Sequence, residues 1–410
     1  MNKTLRGILL AFVVVVLVGC LFGGGFVVGR STSAGTPVAG DLPTQQPAAS
    51  EDTGTPADLQ TIFAPFWEAW DIVHESYFIQ PLDDITLVDG AIRGMMEALP
   101  DDHSSYMDPQ ETSDFNIDMS GEYDGIGAYV DTEAELLTIV RPIPGFPAEQ
   151  AGLLPGDKII AVDGEDVIGM EPALVRLKVL GPADSTVVLT ILREGVEEPF
   201  DVSVTRAHIV IPSVAGEMRE DGIAYISISV FGDTTGAEFH TILADLLAQN
   251  PSGLILDLRN NTGGYTTSAT QVASEFIGEG IIWYEVYGDG TTIEIDALPG
   301  GLATGDLPLV VLVNEWTASA SELVSGAIQD YGRGTLLGSV TYGKGTVQNL
   351  IGISNGGTVR VTIARWLTPD QRTIHETGLT PDVAVELTTE DYRAGLDPQL
   401  DAAVQWLLNP

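Results

Sequence analysis

Leu309-Val310-Val311-Leu312-Val313-Asn314-Glu315-Trp316-Thr317-Ala318-Ser319-Ala320-Ser321-Glu322-Leu323-Val324 sets the character of the C-terminal half of this chain. Five apolar residues in a row fit a strand buried on both faces, and the run after Thr317 fits the start of a helix. Ser319 therefore stands where a strand hands over to a helix. There its hydroxyl can clear the backbone, while the amide of Ala320 and the helix dipole favour an oxyanion beside it. A lone serine in such a place is more often an N-cap, and Ser321, followed by Glu322, is a candidate for that role.

Outward from this stretch, strand and helix patterns alternate over Ile223–Val230, Ala237–Ala248, Gly253–Leu258, Thr267–Ile277, Leu309–Val313 and Ser321–Ala327, which indicates an α/β layer. Upstream, from about Tyr123, short strands are punctuated by Gly125, Gly127, Gly145, Gly152, Gly156 and Gly164. A helix over Glu171–Leu180 and strands over Thr186–Arg193 and Phe200–Thr205 complete a small β-rich module. Before it, Trp67, Trp70, Val73 and Tyr77, and then Ile92, Met95, Met96 and Leu99, recur at helical spacing. They predict two amphipathic helices whose stripes face a core, and this unit is also a candidate contact for a second subunit. The expected division is a segment 1–30, a linker 31–56, a helical unit 57–118, a β-rich domain 119–207, an α/β core 208–390 and a helical end 391–410.

A serine needs a base to become a nucleophile. Tyr342-Gly343-Lys344-Gly345-Thr346-Val347-Gln348 supplies one, because glycines on both sides of Lys344 let the main chain approach closely and no carboxylate is adjacent in sequence. If extended, this stretch points Lys344, Thr346 and Gln348 the same way. A lysine amine can take a proton near neutral pH only if burial lowers its pKa from about 10.4. A third segment, Leu254-Ile255-Leu256-Asp257-Leu258-Arg259-Asn260-Asn261-Thr262-Gly263-Gly264, reads as a buried strand ending in a glycine turn that could offer a further N–H to an oxyanion. None of His74, His103, His208, His240 and His375 lies in a nucleophile-like context or at metal-ligand spacing. His74 reads as structural, and His375 is the candidate for a histidine base, since triads are assembled in space.

Acidic residues number 58 against 18 Lys plus Arg, a net charge of −40, which argues against nucleic acid as a partner. The single cysteine, Cys20, leaves the folded part without an intrachain disulfide or a thiolate metal site. Lys3 and Arg6 precede the uncharged stretch Gly7–Gly29, long enough to cross a hydrocarbon core of about 30 Å. This favours an uncleaved membrane anchor. Leu17-Val18-Gly19-Cys20 keeps open a lipoprotein with a lipid on Cys20, and a cleaved signal segment is the third reading. All three put the remaining chain on the extracytoplasmic side of a bacterial membrane. Residues 31 to 56, rich in Ser, Thr, Ala, Gly, Pro and Gln, read as a flexible tether.

Taken together, the three segments resemble the C-terminal processing peptidases, PDZ-containing tail-specific serine proteases. The resemblance covers about residues 60 to 385. It rests on Asp257-Leu258-Arg259-Asn260-Asn261 with Gly263-Gly264, Ser319-Ala320-Ser321-Glu322, Gln329-Asp330-Tyr331-Gly332-Arg333, Gly343-Lys344-Gly345-Thr346-Val347-Gln348 and Gly378-Leu379-Thr380-Pro381-Asp382. It implies an α/β fold with a ClpP/crotonase-like peptidase core, an inserted PDZ domain and an N-terminal helical unit. By the same resemblance Ser319 is the nucleophile, Lys344 the general base and Gln348 the residue that orients the lysine, with Ala320 and one of Gly263 and Gly264 lining the oxyanion hole. An acyl-enzyme route without metal or cofactor follows. Gly125-Ile126-Gly127-Ala128 falls at the PDZ carboxylate-binding loop, where the terminal carboxylate of a protein tail is captured as the tail adds to a sheet edge. A regulatory adaptor and a homodimer are further partners the resemblance allows. Asp102, before His103-Ser104, and Thr262, before Gly263-Gly264, stand where the family commonly has proline. The rival from another class is a catalytically silent PDZ scaffold that binds protein C-termini without cutting them.

Overall fold

The computed structural model describes residues 57–409. The expected anchor over residues 7–29, Cys20 and the tether over residues 31–56 lie outside the described residues. Among the described residues no helix is long and apolar enough to cross a membrane.

Helix α1 (Ala57–Ser76) belongs to a unit that ends at Leu82. Its aromatic residues pack on one another along the helix, Phe66 on Trp67 at 5.0 Å between ring centroids and Trp70 on His74 at 4.6 Å. His74 also meets the Trp70 carbonyl through Nδ1 at 2.8 Å, the structural part expected of it.

The second unit begins at Asp83. Helix α2 (Asp84–Glu97) is followed by strand β1 (Ser105–Met107) and helix α3 (Pro109–Ser120). Asp108 caps α3 by accepting from the amides of Gln110 and Glu111, and Gly121, at φ 67°, ends it. The chain then enters the β-rich module through β2 (Glu122–Gly125). The module contains β3 (Ala128–Asp131), β4 (Thr138–Pro142), the short α4 (Pro147–Gln150), β5 (Lys158–Val162), β6 (Glu165–Asp166), α5 (Pro172–Val179), β7 (Thr186–Leu192) and β8 (Phe200–Thr205). The chain leaves along β9 (Ala207–Val210), which pairs antiparallel with β2. Entry and exit thus form one ribbon, the signature of an insertion. The module's sheet runs β3-β4-β5-β7-β8, with β6 on β5, around its own core of Ile139, Ile159, Val187, Leu189 and Ile191.

The remaining elements build the α/β core. They are β10 (Val214–Met218), β11 (Ile223–Ile228), α6 (Thr235–Leu247), β12 (Gly253–Asp257), α7 (Thr266–Ser274), β13 (Ile281–Tyr287), β14 (Thr292–Asp296), β15 (Leu309–Val313), α8 (Ala320–Asp330), β16 (Thr335–Gly338), β17 (Thr346–Gly352), β18 (Thr358–Leu367), β19 (Val383–Ala384), α9 (Thr389–Ala394) and α10 (Pro398–Leu408). One sheet runs β10-β11-β12-β15-β16-β19, parallel except for β10. Every residue of β12 and β15 is buried, as apolar runs covered on both faces must be. One face packs with α6, α7 and α8 around Phe239, Phe276 and Leu323, and the other meets Ala403 and Leu407 of α10.

A second sheet, β1-β18-β13-β14 with β17 also on β18, was not legible in the sequence. Its strands carry mixed polar and apolar residues without a long apolar run. The expected mixed α/β class, with a β-rich insertion and a helical N-terminal part, is the class observed.

Arg259 locks α10 to the sheet. It bonds Asp257 through Nη2 at 2.6 Å and Asp397 through Nη1 at 2.9 Å, and Tyr225 also donates to Asp257 at 2.7 Å. Arg259→Met leaves the buried Asp257 without its cation, so urea unfolding should show a loss of about 3 kcal/mol or more. An unchanged midpoint would mean that this pair does not hold α10 in place.

Candidate active site

The turn after β15 is fixed by side chains. Thr317 donates to the Leu258 carbonyl at 2.9 Å and accepts from the Asn314 amide at 2.9 Å, and the Ala318 amide donates to the Asn261 carbonyl at 3.0 Å. Held in this way, Ser319 takes φ 55° and ψ −117° immediately before α8. A positive φ is unfavourable for a residue with a side chain, and such strain persists only where the surroundings impose it, at about 1–3 kcal/mol. A strained strand-to-helix turn presents a serine hydroxyl outward, and Ser319 is half-buried, not enclosed. Ser321, the expected cap, is instead fully buried and donates to the Asn261 carbonyl at 3.0 Å, and it is Ser319 that occupies the cap position.

The glycine turn lies against this serine. A Cβ on Gly263 would come within 2.8 Å of the Ser319 Cβ, so only glycine fits. Asn261, fully buried, donates to the Ile228 carbonyl at 2.8 Å and accepts from the Gly263 amide at 2.8 Å. Gly263 also accepts from Phe231 at 2.9 Å, and Phe231 accepts from Tyr265 at 2.7 Å. The Gly263 amide is therefore engaged. The amides of Gly264 and of Ala320, at the first turn of α8, have no protein acceptor among the described residues.

One carboxylate joins the serine turn to the lysine loop. Glu322, fully buried, accepts from the amides of Ser319 at 2.8 Å and Lys344 at 2.9 Å through Oε2, and from the Gly343 amide at 2.7 Å and the Thr341 hydroxyl at 2.5 Å through Oε1. A single oxygen thus holds the main chains of both candidate residues. The Tyr342 amide adds a bond to the Thr317 carbonyl at 3.0 Å. Burial pushes the Glu322 carboxyl up from its ordinary range, against the pull of these donors. Neither Glu322 nor Asn261 was singled out in the sequence as a site residue. The spacing Ser319-x-x-Glu322 is that of a capping box, and it was the available signal.

Lys344 sits just before β17, half-buried, with no salt bridge among the described residues. Trp366 donates through Nε1 to the Lys344 carbonyl at 3.0 Å, and His375 packs on Gly345, where a Cβ would meet it at 2.8 Å. Burial, reinforced by the Arg360 guanidinium, lowers the amine to about 8, while Asp101 and Glu322 pull the other way. The sequence shows no carboxylate beside Lys344, but the fold brings these two within electrostatic reach.

Thr346 and Gln348 do share a face, since Gln348 donates through Nε2 to Thr346 at 2.8 Å and to Thr362 at 3.1 Å. No side-chain hydrogen bond joins Ser319 to Lys344, or Lys344 to Gln348, among the described residues. Such bonds often tighten only when substrate is bound. His375 does not bond Ser319. Its Nδ1 is buried without a partner, and its ring stands 6.3 Å from that of His103.

In the β-rich module Gly125 closes β2, and Gly127, at φ 74°, lies where a Cβ would strike Phe146. Ile126 accepts from Ala148 at 2.7 Å and Gly127 from Ile143 at 2.9 Å, so the loop is held by its carbonyls. Beside it opens a mainly apolar cavity of about 510 Å³, lined by Ile126, Ala128 and Val130 on one side and by Val179 and Leu180 at the end of α5 on the other.

Comparison with known proteins gives three matches to family models. Peptidase family S41 covers residues 222–385, the PDZ domain 138–193, and the N-terminal domain of the activating protease CtpB 23–112. The carboxy-terminal processing protease CtpA of Bacillus subtilis strain 168 is 38% identical over 336 residues, 82% of this chain and 70% of that protein. A carboxy-terminal-processing protease of Bartonella bacilliformis is 35% identical over 342 residues, 82% of this chain and 78% of its own length. The solved photosystem II D1 C-terminal processing protease is 29% identical, covering 78% of this chain and 92% of that one, with a TM-score of 0.47.

Glu322→Gln replaces an oxygen facing main-chain N–H groups with an amide that cannot accept from all four donors. The variant should lose about 2 kcal/mol or more of stability. Amide exchange should quicken at Ser319, Gly343 and Lys344 together, and unchanged exchange at those three would show that the carboxylate does not tie the loops.

Proposed function

Because this chain belongs to the carboxy-terminal processing proteases of peptidase family S41, we propose that it is a serine endopeptidase working through a Ser319–Lys344 dyad on protein tails delivered by its PDZ domain. The observation that carries this reading is the shared Glu322 oxygen, which holds in one frame a strained Ser319 and a Lys344 that has no salt bridge among the described residues.

In the proposed reaction the neutral Lys344 amine takes the Ser319 hydroxyl proton as Oγ attacks the scissile carbonyl. With its pKa at about 8, roughly a tenth of the amine is neutral at pH 7. Negative charge develops on the carbonyl oxygen and is met by the N–H groups of Ala320 and Gly264, neither of which has an acceptor among the described residues. Gly263 is set aside because its amide already serves Asn261. Collapse breaks the peptide bond as the Lys344 ammonium returns its proton to the leaving amine. Water then cleaves the acyl-enzyme with Lys344 again as base. Gln348, whose two amide hydrogens go to threonines, has Oε1 left to orient the ammonium.

The tail is proposed to lie in the apolar cavity beside β3, its terminal carboxylate on the main chain of Gly125 to Ala128. The basic-then-apolar pattern of Lys3, Arg6 and Gly7–Gly29 supports placing the enzyme at the extracytoplasmic face of a bacterial membrane.

Degradation of a folded protein carrying an apolar C-terminal tail tests the dyad. Ser319→Ala and Lys344→Ala should each lose at least about 10³-fold in kcat/KM. Both should still bind the tail. Because the unprotonated amine is the active form, wild-type kcat/KM should rise with pH and level off above about 8. Equal rates in all three proteins would refute the assignment.

A further inference from the structure

The mainly apolar cavity beside β3 has one charged side chain in its wall that nothing in the protein pairs. Of the residues that line it, only Asp118 and Arg176 carry a full charge at neutral pH. Arg176, on α5, is engaged: it forms a short ion pair with Asp114 of α3, which also accepts from Gln110 at 3.1 Å. Asp118 stands one turn further along α3, on the same face as Asp114. It has no hydrogen bond or salt bridge among the described residues. Asp114, Arg176 and Asp118 together therefore leave one negative charge at the groove.

The position of that charge is fixed by the junction of α3 with the α/β core. The Met119 carbonyl accepts from the Asp233 amide at 3.0 Å, and the Gly121 carbonyl accepts from the Ile211 amide at 2.8 Å. A Cβ on Gly232 would lie 2.2 Å from the Met119 oxygen, so the two segments are in contact. Asp118 itself is exposed, and a ligand in the cavity can reach it. Desolvation by its surroundings raises its carboxyl above the ordinary value, Arg176 works against the rise and Asp114 adds to it. A cation arriving beside such a group favours its ionised form.

Val179 and Leu180 face the cavity at the end of α5, and Arg176 lies one turn earlier, about 4.5 Å back along the helix. An extended tail rises about 3.3 Å per residue, so the charge stands opposite residues a little upstream of the tail's end. We propose that Asp118 is a specificity-determining residue that selects protein tails carrying a lysine or arginine side chain shortly before an apolar C-terminal end. The proposal rests on the reading of this cavity as the tail site. It gives α3, which lies outside the matched PDZ segment 138–193, a part in choosing what that domain delivers.

The test is binding of fluorescent peptides to the full chain carrying Ser319→Ala, with folding of every variant checked by thermal melting. The peptides share one apolar end and carry lysine, glutamine or glutamate at each of the few positions before it. In dilute salt, lysine at one or more of these positions should tighten binding about fivefold over glutamine, and glutamate should weaken it. The gain should shrink toward none at about 1 M salt, where the Debye length is about 3 Å. Asp118→Asn should abolish the lysine gain and leave the glutamine peptide unchanged. Asp118→Lys should transfer the preference to glutamate, and it stands in if Asp118→Asn fails to fold. Glu197→Gln makes the same change of net charge in the turn between β7 and β8, outside the cavity lining, and should leave the lysine gain in place. A lysine gain that survives Asp118→Asn, or glutamine peptides that bind while lysine adds nothing at any position, would overturn the proposal and leave the tail site standing. Failure of every peptide to bind would remove the tail site and this proposal with it, while the Ser319 and Lys344 variants would still report on the dyad.

Discussion

The carboxylate of Glu322 accepts three main-chain N–H groups and one hydroxyl, drawn from the first turn of α8 and from the loop before β17. A charged group taken out of water is costly by several kcal/mol unless donors surround it, and here all the donors come from the two segments that carry Ser319 and Lys344. Burying Glu322 is therefore possible only when both segments are in place. Folding of the α/β core and assembly of the site become one event, and the strain at Ser319 is borne by that assembly.

The rest of the site follows from what this frame leaves open. Asn261 uses its side chain on Ile228 and Gly263, its carbonyl on Ala318 and Ser321, and so sets the glycine turn against the serine. The amides of Ala320 and Gly264 have no acceptor among the described residues. On the other side, Lys344 sits in a chain of net charge −40, a field that would favour an ammonium. Screening confines that field to about a Debye length, roughly 8–10 Å, so the near groups decide. Burial and Arg360 lower the Lys344 amine and outweigh Asp101 and Glu322.

Much of this was legible in the sequence wherever one physical cause dominated. Buried strands such as Leu309–Val313 announce themselves by unbroken apolar runs, and helices such as Asp84–Glu97 by periodicity. The turn chemistry around Ser319 and Lys344 marked both as candidates. Elements that depend on distant partners were not visible. The strands β13, β14, β17 and β18 mix polar and apolar residues because their faces differ in what covers them. Glu322 looked like an ordinary helix-start residue because three of its four bonds reach 19 to 22 residues away. The sequence could not show that Asn261 engages the Gly263 amide while that of Gly264 has no acceptor among the described residues.

The proposed reaction depends on burial lowering the Lys344 amine. Lysine occurs only at positions 3, 158, 178 and 344, so the side-chain signals of the whole protein can be followed by NMR with labelled lysine and assigned with Lys344→Arg. The resonance absent in that variant should titrate near pH 8. If that resonance shows no titration below about pH 10, the ordinary range of a lysine amine, the base proposed here is no base at neutral pH.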